Sequence, residues 1–148
     1  MSIRPSRITV SLLAQVVLAS VLLWRARLIL RFGSVARLAR WTHVGEEQVT
    51  ISQVDLEWAH GWFEAIRLAA RLQGNRPQCL PKSLALAMRL RTRGLPAKVV
   101  FGVQQHKAAL HSHAWVVINE TVIGESEHAL ADFTPVDLSH WLASTHSQ

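Results

Sequence analysis

One cysteine, Cys79, is the only thiol among 148 residues. Its isolation excludes an internal disulfide framework, and with no second thiol a zinc ribbon or a redox pair as well; the usage fits a reducing compartment. Acid is missing from residues 1–44, which hold seven of the sixteen Lys and Arg residues (Arg4, Arg7, Arg25, Arg27, Arg31, Arg37, Arg40). The other nine are matched by ten Asp and Glu, so the formal charge of +6 belongs to the N-terminal arm alone. A nucleic-acid-binding body would carry its basic footprint across the folded domain, so nucleic acid is not an expected partner. An anionic membrane surface or an acidic protein partner suits such an arm better. The chain has no glycine-rich phosphate loop and therefore no expected nucleotide cofactor. It has no His-Glu-x-x-His and no acidic cluster. The histidines at 106, 111, 113 and 128 are therefore not expected to hold a metal, with or without Cys79.

What is present begins with a long apolar run. Ile8 to Trp24 carries no charge, which is near the short limit for a membrane-spanning helix. No small-x-small cleavage site follows, and the apolar pattern continues past Arg25, Arg27 and Arg31, against a signal peptide. Beyond Trp24 the run turns amphipathic, with a break expected at Gly33 and Ser34. Three expectations follow: a helix docked on the body or a partner, a helix lying on a membrane surface across residues 8–41, or an anchor. A spanning helix would leave its larger positive excess on the C-terminal side, so the cytoplasm is the expected location throughout.

The rest reads as one α+β unit. A helix is expected from Asp55, as cap, through Trp58, Trp62, Ile66, Ala69 and Ala70 towards Gly74, with the tryptophans as core. A second opens around Pro81, tolerated in a first turn because its missing N–H would have no partner there, and closes at Gly94 and Pro96. "AKVVFGV" (97–103) reads as a buried strand, and "SHAWVVI" (112–118) with "TVIGES" (121–126) as a hairpin turning near Asn119 and Glu120. A last helix is expected from Val136 to Leu142.

Cys79 stands two residues before Pro81, at the start of the second helix. The positive end of a helix favours a thiolate, and its unpaired N–H groups suit the oxyanion of a tetrahedral intermediate. A lone cysteine is more often a buried structural residue, so the placement gains weight only with a base. His113, on a strand, supplies one, and an acid from the partner strand would fix its tautomer. A two-residue loop at 119–120 sets His113 opposite Ser126 and turns Glu125 to the other face. A three-residue loop or a bulge brings Glu125 to the face of His113. Glu127 and Asp132 are the alternatives. Gln73 is a lesser candidate for an oxyanion donor, and Ser83 lacks a base at a suitable spacing.

"CLPKSLALAMRLRTRGLPAKVVFGV", "HAWVVI" and an acid a dozen residues on together resemble the transglutaminase-like leader peptidases of lasso-peptide biosynthesis, over about residues 55–135. The resemblance implies a papain-like α+β fold with a Cys–His–acid triad and no cofactor. Cys79 matches the nucleophile and His113 the base, with Glu125 where the family usually has aspartate. It implies a precursor peptide as substrate and a lasso cyclase as partner. The family's fused leader-recognition domain has no counterpart in residues 1–54, so a separate recognition protein is expected. The organisation expected is a basic, apolar helical arm (1–44) followed by a transglutaminase-like peptidase domain (45–148).

Overall fold

The computed structural model describes residues 7–43, 49–74 and 79–137. Four helices come first: α1 (Arg7–Phe32), α2 (Val35–Thr42), α3 (Gln53–Leu72) and α4 (Cys79–Arg91). Strands β1 (Ala97–His106), β2 (Ala109–Ile118) and β3 (Thr121–Ile123) follow, then the one-turn α5 (Glu127–Leu130) and β4 (Thr134–Val136). The sheet is antiparallel, in the order β3-β2-β1-β4. This is the α+β arrangement expected; α3 and α4 pack on one face of the small sheet.

Alternation along the strands gives the sheet two faces. Ala97, Val99, Ala114, Val116, Ile118 and Ile123 join a core with Trp62, Ile66 and Ala69 of α3 and Leu84, Ala87 and Leu90 of α4. Val100, Trp115, Val117 and Val122 face the other way, under Leu130 and Phe133. Helix α1 enters the main core through Ala19, Leu22, Leu23 and Ala26, with alanines where it crosses closely. Each buried leucine there contributes about 2 kcal/mol. Arg91, at the end of α4, ties the arm to the sheet by donating to the carbonyls of Ala97, Arg40, Trp41 and His43.

Several boundaries depart from the sequence reading. Ser52, not Asp55, caps α3: its Oγ accepts from the Asp55 N–H at 3.1 Å, and the Asp55 carboxylate accepts from the Ser52 N–H at 3.2 Å. This reciprocal pairing satisfies two donors left open at the helix start, so Asp55 serves at the third helical position. Strand β2 begins three residues before its expected start, and β1 runs three beyond its expected end. The two pair throughout, about a tight turn where Lys107 adopts φ +54°. Of the last helix expected, Val136 lies instead in β4, and 138–142 fall outside the described residues.

The cap carries a pH prediction. Hydrogen bonds from the Ser52 hydroxyl and then its backbone N–H, helped by Arg93, hold the Asp55 carboxyl below 3.8. A depressed carboxyl stabilises the fold above its unfolded value and loses that contribution as pH falls through its lower folded value. Thermal melts between about pH 5 and about pH 2 should show a shallower acid decline in Asp55→Asn than in wild type. Superimposable acid limbs would exclude this role for Asp55.

Candidate active site

Cys79 is the first residue of α4, half-buried, with a free thiol. Pro81 contributes no N–H to the first turn, which leaves the N–H groups of Cys79 and Leu80 as its open donors. Ser83, one turn on and buried, donates to the Ala114 carbonyl at 2.8 Å. That bond fastens the start of α4 to β2 next to His113. Ser83 is thus a tie between helix and strand, in keeping with its lack of a base.

His113 lies on β2 opposite Gly102. Its ring stacks on Trp115 (centroids 6.1 Å apart, 25° between planes) and meets Phe133 at 5.5 Å. Gly102 makes room for this wall: a Cβ there would stand 2.6 Å from the Trp115 ring. The other side of the imidazole belongs to Glu125, whose Oε2 lies 2.8 Å from His113 Nε2. With Nε2–H donated to a carboxylate, Nδ1 is left as the basic nitrogen.

Glu125 reaches His113 by an unexpected route. The β2–β3 turn has two residues, Asn119 (φ +52°) and Glu120, so that Ile118 pairs with Thr121 and Val116 with Ile123. Under that register, alternation alone would send Glu125 to the other face, and the longer loop considered from sequence is not formed. Instead the ladder ends at Ile123, and Gly124 bends the chain at φ +81°. A glycine is needed twice over: the conformation disfavours any Cβ, and one there would fall 2.2 Å from the Phe63 ring. A glycine inside a strand-like run was the visible signal for such a departure.

Cys79 and Glu125 line one pocket, floored by Phe63, Ile66 and Val116 and edged by Lys82. Among the described residues no hydrogen bond joins Cys79 to His113; Glu125 links them by lining the pocket with one and bonding the other. Glu127 and Asp132 are exposed, and neither is bonded to His113. Gln73 ends α3, and its side-chain oxygen accepts from Arg27. His106, His111 and His128 are exposed, and no three potential metal ligands cluster among the described residues.

Residues 21–137 match the model of the transglutaminase-like superfamily. The chain belongs to that superfamily. No curated protein and no solved structure matches the chain. Membership in the transglutaminase-like superfamily fits the α+β fold and supports an activity of the papain-like cysteine peptidase or transferase kind. The superfamily match begins within α1, so part of the basic arm belongs to the matched region.

Proposed function

We propose that this chain is a cytoplasmic cysteine peptidase that removes the leader from a ribosomally made lasso-peptide precursor. A separate protein would recognise the leader, and a cyclase would take the product. The observation that supports a nucleophilic site most is the His113–Glu125 pair, joined at 2.8 Å, beside a pocket that also holds Cys79. The strings around Cys79 and His113 are what point to leader removal within the superfamily.

The proposed chemistry uses the ring nitrogen that Glu125 leaves free. Nδ1 of His113 takes the Cys79 proton, and sulfur attacks the carbonyl carbon of the scissile peptide. The oxyanion that forms is stabilised by open N–H groups of the first turn of α4. Collapse breaks the C–N bond, and His113 returns the proton to the leaving amine, which becomes the N-terminus of the core peptide. A water then gives its proton to His113 and attacks the thioester. The carbon–sulfur bond breaks, and the leader departs as a carboxylic acid. Glu125 holds the ring and balances the imidazolium throughout.

An amine in place of water would make the same site a transferase, which superfamily membership also accommodates. Mass spectrometry of the precursor, incubated with and without the recognition protein in water enriched in oxygen-18, distinguishes these outcomes. A single cut, accelerated by the partner and leaving one heavy oxygen on the leader carboxylate, is the expected result. A leader ending in an amide would assign acyl transfer. An intact peptide under all conditions, with the partner shown to bind it, would reject the peptidase reading.

A further inference from the structure

Docking on α3 and α4 uses one side of α1; its opposite side has no partner among the described residues. Leu13, Val17, Val21, Trp24 and Phe32 form an apolar stripe along it about 30 Å long, with Val17 65%, Trp24 62% and Phe32 74% exposed. Arg25 and Arg31, both exposed, flank the stripe on its two sides in the C-terminal half of the helix. Residues 1–44 contain no acid. Near the other end, Glu64 of α3 lies by Leu12, and its charge is taken by Arg67.

We propose that this face of α1 seats on the surface of an anionic lipid bilayer, with the helix axis in the membrane plane. Three observations select this occupant. The flanking charges are all positive, and long arginine stems can follow an apolar stripe while their heads meet lipid phosphates. Parallel self-pairing through this face would bring arginines against arginines, with no acid in the arm to offset them. Spanning is opposed by the packing: Ala19, Leu22, Leu23 and Ala26 are buried in the protein core, so insertion across the bilayer would carry α3, with Glu57, Glu64, Arg67 and Arg71, into hydrocarbon. The helix Ser11–Phe32 is long and apolar enough to cross a membrane, yet its docked side is already occupied.

This inference does not rest on the peptidase reading, and its test does not use activity. Full-length protein is floated with vesicles of phosphatidylcholine alone, or with about one-third phosphatidylglycerol. Wild type should float with the anionic vesicles and be released by salt or alkaline carbonate, as expected of a surface-bound helix. Val21→Glu with Trp24→Glu should remove binding while leaving circular dichroism and the melting temperature unchanged. Arg25→Glu with Arg31→Glu should weaken binding to anionic vesicles at least about tenfold, since each arginine near the surface matters several-fold. Failure of wild type to float overturns the proposal. So does binding unaffected by either double variant, resistance to carbonate extraction, or a stable dimer in solution broken by Val21→Glu.

Discussion

Cys79→Ala is expected to lower turnover of a cleavable peptide by at least about a thousandfold, because no other group can form the acyl intermediate. The side chain is half-buried and makes no hydrogen bond among the described residues, so folding stability should shift by less than about 1 kcal/mol. Peptide binding should survive, which separates a lost nucleophile from a lost fold. His113→Ala should be comparably slow, and the double variant no slower than either single one, because the two act in one step. An alanine variant retaining more than about a tenth of wild-type turnover would mean that Cys79 is not the nucleophile. The reading would then pass to a peptide-binding adaptor, for which Cys79 is a packing residue beside a groove.

The second large effect belongs to a residue with no side chain. Gly124→Ala should destabilise the protein by about 2–4 kcal/mol: roughly 1–2 for an L-residue at a left-handed φ, the rest for displacing Phe63. Because Gly124 aims Glu125, turnover should fall by about tenfold or more even under conditions where the variant is fully folded. Urea denaturation and steady-state rates measure the two parts separately. Adding Phe63→Ala removes the steric conflict but not the backbone strain. The double variant should therefore be less destabilised than the sum of the singles, by about 1–2 kcal/mol. A Gly124→Ala protein as stable and active as wild type would contradict the account of how Glu125 is placed.

The helices around the site were legible in the sequence because strong punctuation bounds them. Pro81 sits in the first turn of α4, and Gly94, at φ +80°, closes the helix, its N–H bonded back to the Arg91 carbonyl at 2.9 Å. The cap of α3 was misplaced by three residues because serine and aspartate both suit an N-cap, and only geometry shows that here they cap reciprocally. The full length of the β1–β2 hairpin was not legible. Its turn, Lys107–Ala108, has no glycine, asparagine or proline to announce it. Strand β4 escaped because it has three residues, one a proline, and exists only through its edge pairing with β1. Glu125 was the leading acid from sequence, yet the register that forms is the one counted against it. Alternation describes a continuous strand, and this one stops at Ile123. How α1 sits was equally undecidable from hydropathy, since its docked and exposed sides are both apolar. Alanines at 19 and 26 distinguish the docked side only once a neighbouring helix is known to lie there.

The wall behind His113 has a consequence for entropy. Trp115 fills the space over Gly102, Phe133 closes the flank, and Glu125 fixes Nε2, so the imidazole has lost most of its rotational freedom in the folded chain. The free-energy cost of ordering it, part of the side-chain entropy lost on folding, falls once per molecule and not once per turnover. On the proposed mechanism, the ring would meet a bound peptide already aligned for proton transfer. The stability given up to hold it so is supplied by aromatic packing on the far side of the sheet from α4.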